Sequence, residues 1–276
     1  MKITLIEPRG FCFGVCRALD LLDSVLDKQP IVLHEIVHNK QVVDGYKQKG
    51  VRFVECLDGI PESSCVVLSA HGGADSIRTL AQQKYQVIDT TCPFVLKNHL
   101  WVKKLEAQGV PIVLIGKKMH PEIQGTLGQL KNLNNVFVVS NVQEIEQLPD
   151  MPIIGVAMQT TLGVLDTAEM MNVLKNKYEK ILFQNGICQA TSERQQAVLN
   201  AVKTHRFILV VGDIKSSNAN RLVDVAKQAG AKSFLIESIT DIEKINFSDS
   251  VAIMAAASAP ESLVQEIYHY LMKKYN

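Results

Sequence analysis

Short runs of β-branched and other apolar residues alternate with amphipathic segments along the whole chain. This alternation is typical of α/β proteins with parallel sheets, which place binding groups at the carboxyl ends of their strands. The predicted strands are Ile3–Ile6, Ile31–Leu33, Val66–Ser69, Val87–Asp89, Ile112–Ile115, Val136–Val139, Ile153–Ala157, Ile181–Phe183, Ile208–Val211, Ser233–Ile236 and Val251–Met254. The predicted helical segments include Arg17–Leu26, Leu96–Ala107, Gln195–Val202 and Leu222–Ala229.

Three of the cysteines share one local setting. Cys12, Cys92 and Cys188 are separated by 80 and 96 residues, and each follows a predicted strand and turn and precedes a helical pattern. We therefore expect three α/β lobes, each with one thiol at a strand-to-helix turn. The expected lobes are residues 13–91, 92–187 and 188–276, with residues 1–12 adding a strand to the third lobe.

This setting favours a metal cofactor. A helix N-terminus stabilises the thiolate, which is the form that binds metal. Three thiolates suit a 4Fe–4S cluster with one iron that lacks a protein ligand, whereas a structural zinc site usually contains a C-x2-C pair, which this sequence lacks. Taken singly, each cysteine is more simply a buried small residue. We assign a simple structural role to each of the other three cysteines. Cys16 is expected to be a packing residue, Cys56 a loop residue and Cys65 a strand-edge residue.

Composition excludes several function classes. With 29 basic and 28 acidic side chains the net charge is +1, so no broad positive surface for nucleic acid is expected. The first predicted strand begins at Ile3, which leaves no room for a signal peptide, and no apolar run is long enough to span a membrane. The cysteines are too few for a disulfide scaffold. We expect a cytoplasmic protein.

Histidines also follow predicted strands. His38, His71 and His120 each lie between a strand and a helical pattern, and three histidines in this setting favour anion binding or proton transfer. Residues 34–39 contain the zinc-protease string H-E-x-x-H, which binds zinc only on a helix. Here the string continues a predicted strand, in which His34 and His38 would be about 13 Å apart. We reject the metalloprotease interpretation.

Polar side chains at two later turns complete the candidate site. Ser216, Ser217 and Asn218 follow one predicted strand, and Ser258 follows the last. They could simply cap helices, but the same geometry directs backbone amides at an anion such as a diphosphate. The sequence has no nucleotide-binding glycine motif.

One carboxylate stands near these turns. Glu122 comes two residues after His120, and Thr160 follows another predicted strand, where its hydroxyl could relay a proton from Glu122. The simpler alternative is that Glu122 only complements a helix dipole.

Nine short stretches together carry a family resemblance. They are PRGFCFGV, HEIVHN, SAHG, DTTCP, HPEIQGT, QTTL, GICQAT, SSNANRL and ASAP, in this order from Pro8 to Pro260. They closely resemble the 4-hydroxy-3-methylbut-2-enyl diphosphate reductase family, also called IspH or LytB. The resemblance implies a three-lobed α/β trefoil around a central 4Fe–4S cluster. It also implies reductive removal of the substrate's allylic hydroxyl, which gives isopentenyl and dimethylallyl diphosphates in the last step of the non-mevalonate isoprenoid pathway.

The resemblance further implies roles for single residues. Cys12, Cys92 and Cys188 would bind the cluster, and Glu122 would deliver a proton to the substrate hydroxyl that Thr160 positions. The diphosphate would be held by His38, His71, His120, Ser216, Ser217, Asn218 and Ser258, with His120 also close to the chemistry. Electrons would come from a ferredoxin or flavodoxin, since no flavin or nicotinamide motif is present.

Alternatives remain open on the sequence alone. The chain reads MAAAS where the family usually reads TAGAS, so Ala256 could crowd a loop that is usually built with glycine. Together with Met254 and with Cys16 at a usually polar position, this leaves room for a paralogue with altered substrate tolerance. A non-redox iron–sulfur dehydratase and a non-catalytic iron–sulfur sensor are the two rival functions.

Overall fold

The computed structural model describes residues 1–275. These residues form twelve strands and eleven α-helices. The strands are β1 (Ile3–Leu5), β2 (Ile31–Leu33), β3 (Arg52–Val54), β4 (Cys65–Leu68), β5 (Gln86–Asp89), β6 (Ile112–Ile115), β7 (Val136–Val139), β8 (Ile154–Met158), β9 (Ile181–Phe183), β10 (Phe207–Val211), β11 (Lys232–Ile236) and β12 (Val251–Ala255). The helices are α1 (Phe13–Asp23), α2 (Lys40–Gln48), α3 (Asp75–Lys84), α4 (Pro93–Ala107), α5 (Pro121–Leu127), α6 (Val142–Glu146), α7 (Val164–Lys177), α8 (Gln189–Val202), α9 (Ser217–Gln228), α10 (Ile239–Glu243) and α11 (Glu261–Tyr275).

The strands form three sheets of four strands, and every strand pairing within residues 1–275 is parallel. The strand orders are β1-β12-β10-β11, β5-β4-β2-β3 and β9-β8-β6-β7. Because each order uses its strands in the same relative positions, the three sheets repeat one topology. The predicted fold class, α/β with three parallel-sheet lobes, is confirmed.

The residues pack into two compact units. The first consists of Met1–Cys16, Val37–Asp44 and the chain from Gln189 on, and it contains the sheet β1-β12-β10-β11. The second consists of Arg17–Ile36 and Gly45–Cys188, and it contains the other two sheets. The lobe boundaries expected from the sequence stay a prediction.

The middle strands of each sheet form the cores. In the first unit, every residue of β10 and β12 is buried, and α8, α9 and α11 pack against this sheet. In the second unit, β2, β4, β6 and β8 are likewise buried along their whole length. Strands buried on both faces have continuous apolar sequences, which is why they are easily recognised in the amino-acid sequence.

The observed elements agree closely with the predicted ones. All eleven predicted strands are present with ends within one residue of the prediction. The strand β3 was missed because it is a three-residue edge strand whose first residue, Arg52, is exposed. The four predicted helical segments correspond to α1, α4, α8 and α9, which begin four, three, six and five residues earlier than predicted. No helix within residues 1–275 is both long and apolar enough to cross a bilayer.

A glycine in β8 allows close packing of α4, and this can be tested. A Cβ atom at Gly155 would lie 2.5 Å from both δ carbons of Leu105 on α4. We expect Gly155→Ala to lower the free energy of unfolding in urea by about 1–3 kcal/mol, because it overpacks the core. Gly45, in the middle of α2, has no atom within 4 Å of such a Cβ. Gly45→Ala should therefore raise stability by about 0.5–1 kcal/mol; equal effects of the two variants would contradict this packing.

Candidate functional site

The three candidate cysteines occupy equivalent positions in the fold. Cys12, Cys92 and Cys188 directly precede α1, α4 and α8, and each of these helices has at least 11 residues. Each follows the strand at one end of its sheet, namely β1, β5 or β9. All three cysteines are half-buried and free of disulfides. The predicted strand–turn–cysteine–helix setting is thus confirmed for each of them.

The backbone holds the three cysteines in the same way. The amide of each cysteine donates a hydrogen bond to a carbonyl in the loop that follows the neighbouring strand of its sheet. The bonds join Cys12 to Ala257 (3.0 Å), Cys92 to Ala70 (3.0 Å) and Cys188 to Thr160 (3.2 Å). The pseudo-repeat inferred from the sequence therefore extends to individual hydrogen bonds.

The donor chemistry of these cysteines fits an iron–sulfur cluster. Thiolates are the usual ligands of such clusters, and a position at the start of a helix favours the thiolate form. The other cysteines differ: Cys16 and Cys56 are exposed, and Cys65 is buried at the start of β4. The packing role expected for Cys16 is therefore wrong. Within residues 1–275, no group of three or more His, Cys, Asp or Glu side chains is arranged to hold a metal ion.

The polar candidates also repeat from sheet to sheet. Each of the two middle strands of a sheet is followed by a candidate residue. His38, His120 and Ser216 follow β2, β6 and β10, and His71, Thr160 and Ser258 follow β4, β8 and β12. Each sheet thus supplies one cysteine and two polar residues from the loops after its strands, which is where parallel sheets bind ligands.

The string H-E-x-x-H is not part of any strand or helix. Strand β2 ends at Leu33, and His34 has a left-handed backbone conformation with φ of 62°. The expected continuation of the strand to His38 is therefore wrong, although the rejection of a helical zinc site is consistent with the structure. His34 instead pairs with Glu55 on the surface, with its Nδ1 atom 2.9 Å from Oε2.

Glu122 and Thr160 form a close pair in the second unit. The backbone amide of Thr160 donates to Oε1 of Glu122, and the Thr160 hydroxyl donates to Oε2, both at 2.8 Å. Both residues are buried. Since the Thr160 carbonyl also accepts from the Cys188 amide, Thr160 links the candidate acid to a candidate cluster ligand. The alternative that Glu122 only complements a helix dipole does not account for these contacts.

The environment of Glu122 favours its protonated form. Burial raises the pKa of Glu122 to about 7, against smaller lowering effects of hydrogen bonds from Thr160 and Asn98. A carboxyl group with a pKa near the working pH can both hold and release a proton. On the same helix, His120 caps α5 by accepting a hydrogen bond from the Glu122 amide at its Nδ1 atom (3.2 Å).

His71 and His120 lie near each other in the second unit. Their ring centroids are 6.4 Å apart in an edge-on arrangement. The next residue, Gly72, has φ of 74°, and a Cβ atom there would lie 2.8 Å from Cε1 of His99. Glycine is thus required at this turn by both conformation and space, and it fixes the loop that carries His71.

The first unit holds the remaining polar candidates. The Ser216 hydroxyl accepts from the Ala219 amide (3.2 Å) and caps α9, on which Ser217 and Asn218 are the first residues. The Asn218 carbonyl oxygen accepts from the Ala257 amide (3.0 Å). The Ser258 hydroxyl donates to the His38 carbonyl (2.9 Å). The capping role foreseen for Ser216 is present, and the loop after β12 is tied to both α9 and the His38 segment.

Two buried side chains at these loops were not predicted from the sequence. Asn98, on α4, donates to the Met158 carbonyl (2.8 Å). Arg194, on α8, donates to the carbonyls of Ala255 (3.3 Å) and Gly10 (2.8 Å). A polar residue on the buried face of a helix would have indicated such a role. The sequence alone does not reveal which positions of α4 and α8 are buried.

Comparison with known proteins identifies the family. A family model described as LytB protein matches residues 3–272. This chain belongs to the LytB family. Among named LytB relatives, 4-hydroxy-3-methylbut-2-enyl diphosphate reductase of Haemophilus influenzae strain PittGG is 43% identical, over 97% of this chain and 88% of its own length. The protein with the same name from Actinobacillus pleuropneumoniae serotype 5b strain L20 is 42% identical, over 98% and 90%.

Solved structures agree with this assignment to LytB. The E-1-hydroxy-2-methyl-but-2-enyl-4-diphosphate reductase from Plasmodium falciparum superposes with a TM-score of 0.91 at 32% identity, over 98% of this chain and 88% of that one. A second structure, of (E)-4-hydroxy-3-methyl-but-2-enyl diphosphate reductase, gives a TM-score of 0.71 at 29% identity, over 99% of this chain and all of that one (100%).

A neighbouring glycine accommodates Ala256, which was expected to crowd its loop. Ala256 is fully buried, and its amide donates to the Val211 carbonyl (2.8 Å). A Cβ atom at Gly212 would lie 2.9 Å from the Ala256 Cβ and 2.8 Å from that of Ala219. The crowding expected at Ala256 is thus avoided because position 212 has no side chain.

The buried carboxyl group should affect the pH dependence of stability. The pKa of Glu122 is raised from 4.5 to about 7, so the folded state holds this proton more tightly than the unfolded state. The protonated carboxyl group therefore stabilises the folded state at low pH. This stabilisation, at most about 3 kcal/mol of unfolding free energy, should be lost as the pH rises from about 4.5 through 7. Glu122→Gln, which does not titrate, should flatten the curve of urea unfolding free energy between pH 5 and 8.

The matched control for this prediction is Glu169→Gln, since Glu169 is an exposed glutamate on α7. Its stability curve should run parallel to that of the unchanged protein. A Glu122→Gln curve that also ran parallel would contradict the raised pKa.

Proposed function

We propose that this protein reduces 4-hydroxy-3-methylbut-2-enyl diphosphate to isopentenyl and dimethylallyl diphosphates, the last step of the non-mevalonate isoprenoid pathway. The observation that carries the proposal is the match to LytB over residues 3–272, together with relatives above 40% identity that are named for this reaction. The buried pair of Glu122 and Thr160 gives the proposal its chemical basis, because the reaction needs a proton donor close to the substrate.

The proposal assigns a 4Fe–4S cluster to the thiolates of Cys12, Cys92 and Cys188. Their shared position before helices and the family membership support it. When bound, the cluster supplies electrons and a Lewis-acidic iron without a protein ligand. An external donor, a ferredoxin or a flavodoxin, delivers the two electrons of each turnover.

The chain's own residues would bind the substrate and move protons. His38, His71, His120, Ser216, Ser217, Asn218 and Ser258 hold the diphosphate at the loops that follow the strands, which positions the reacting end. Thr160 orients the substrate hydroxyl, and Glu122 protonates it so that the C–O bond breaks with water as the leaving group. Two electrons and a second proton complete the conversion of the alcohol to the alkene products. After each turnover Glu122 must be protonated again, which a pKa of about 7 allows.

Serine substitution tests the cluster ligands. Cys12→Ser, Cys92→Ser and Cys188→Ser should each reduce iron and sulfide content after anaerobic purification by more than half, because a hydroxyl is a poor replacement for a thiolate ligand. Cys16→Ser is a matched control, since this exposed cysteine lies one helical turn after Cys12 on α1. Full iron content in any of the three ligand variants, or equal loss in the control, would contradict the assignment.

Glutamine substitution tests the proton donor. Glu122→Gln should lower kcat at least about 100-fold with dithionite and a mediator dye, because positioned acids typically contribute 10²–10⁴-fold. The absorption of the cluster and the KM for the diphosphate substrate should be nearly unchanged, and Glu169→Gln should have no effect. A non-catalytic sensor would show no turnover in any variant. Product formation without a reductant would instead favour a dehydratase.

A further inference from the structure

Gln129 is a buried polar residue to which the proposed reaction assigns no role. It lies two residues after the end of α5, and its side chain is 5% exposed. Burying an amide is costly unless its polar atoms are hydrogen-bonded. The hydrogen-bond partners of Gln129 therefore indicate what this side chain holds.

The Gln129 amide bridges two segments of the second unit. Its Nε2 atom donates to the Gly73 carbonyl at 2.7 Å and to the Gly125 carbonyl at 3.1 Å. An amide nitrogen carries two protons, so it can make both bonds at once. Gly125 belongs to α5, whereas Gly73 belongs to the loop of residues 69–74, which follows β4 and carries His71. We call this segment the His71 loop.

The end of α5 also packs directly on the backbone of the His71 loop. A Cβ atom at Gly125 would lie 3.0 Å from the Gly72 carbonyl oxygen, and one at Gly128 would lie 2.7 Å from the Ala74 Cα. The Gly128 carbonyl accepts from the amide of Asp75, the first residue of α3, at 3.0 Å. This close approach of α5 to the loop depends on the absence of side chains at both glycines.

A candidate cluster ligand holds the His71 loop at its other end. The Cys92 amide donates to the carbonyl of Ala70, the residue before His71, at 3.0 Å. His71 therefore lies between a tie to Cys92 and a tie to Gln129. The first tie is made by backbone atoms alone, whereas the second needs the Gln129 side chain, so a substitution can remove it.

The position of the His71 loop sets the distance between two histidine rings. His120 caps the start of α5, and its ring centroid is 6.4 Å from that of His71. One ring is thus carried by α5, and the other by the loop that Gln129 ties to α5. A shift of the loop relative to the helix would change the spacing of the two rings. Two groups that bind one anion must keep a fixed spacing to bind it well.

We propose that Gln129 is a positioning residue for the diphosphate: its amide ties the His71 loop to α5 and so sets the spacing of His71 and His120. The inference rests on the diphosphate-binding role proposed above for these two histidines. Glu122 and Thr160, proposed to act at the reacting end of the substrate, are held by hydrogen bonds to each other and should keep their geometry without Gln129.

The test is Gln129→Met in the cluster-loaded enzyme, since methionine has a similar unbranched shape but cannot donate. The KM for the diphosphate substrate should rise about tenfold, because diphosphate binding weakens in the ground state and the transition state alike. The kcat should change less than about threefold, because the proton donor is not displaced. The affinity of the same enzyme for inorganic diphosphate, measured by calorimetry, should also fall about tenfold.

A second measurement needs no ligand. In hydrogen exchange of the oxidised holoenzyme, followed by mass spectrometry, peptides that cover residues 69–75 should exchange faster in Gln129→Met, while peptides from β8 should be unchanged. The matched control is Gln143→Met, the same change at an exposed glutamine of α6. This control should leave KM, kcat, diphosphate affinity and exchange as they are in the unchanged protein.

The outcomes separate this inference from the proposed function. If the unchanged protein turns over the substrate but Gln129→Met keeps its KM and its diphosphate affinity, the positioning role is wrong and the proposed function stands. A fall in kcat at constant KM would also overturn the inference, because the substitution would then act at the reacting end. If the cluster-loaded unchanged protein shows no turnover, the proposed function is wrong. Calorimetry with inorganic diphosphate then decides the inference, and absent or equal binding by the two proteins overturns it.

A poorly folded Gln129→Met variant would be replaced by Gly128→Ala. The φ of Gly128 is −69°, so alanine suits the backbone there, but its Cβ would press on Ala74 and displace the His71 loop. Unchanged diphosphate affinity in that variant would equally overturn the inference.

Discussion

The arrangement of this molecule depends on one backbone hydrogen bond that occurs three times. In each sheet, the backbone amide of the cysteine at a helix start donates to a carbonyl in the loop that follows the neighbouring strand of that sheet. Such a bond fixes the position of the thiol relative to the polar loop beside it without using any side chain. The positions of Cys12, Cys92 and Cys188 are therefore set by the backbone, while the sequences of the three loops differ.

Thr160 shows how a single residue can serve two functions at once. Its carbonyl receives the amide of Cys188, and its amide and hydroxyl both contact Glu122. A displacement of Cys188, the candidate cluster ligand, would therefore also displace Thr160 and its contacts with Glu122. Since two of these three contacts are made by the backbone, the linkage depends on the loop conformation more than on the identity of the side chain.

The sequence predicted the fold and much of the candidate site for identifiable reasons. Buried parallel strands such as β10 and β12 are continuous apolar runs, and a cysteine, histidine or serine directly after such a strand can be recognised by position alone. The edge strand β3 escaped because three residues beginning with an exposed arginine carry no periodic signal. Asn98 and Arg194 escaped because their roles depend on which helix face is buried, and that face is defined by tertiary packing.

The guanidinium group of Arg194 connects two loops within the first unit. By bonding the carbonyls of Gly10 and Ala255, it braces the segment just before Cys12 against the end of the strand that leads to Ser258. Arginine keeps its charge at all physiological pH values, so this brace does not loosen when the solution becomes more alkaline. The segment that leads to Cys12 and the loop that carries Ser258 should therefore move together.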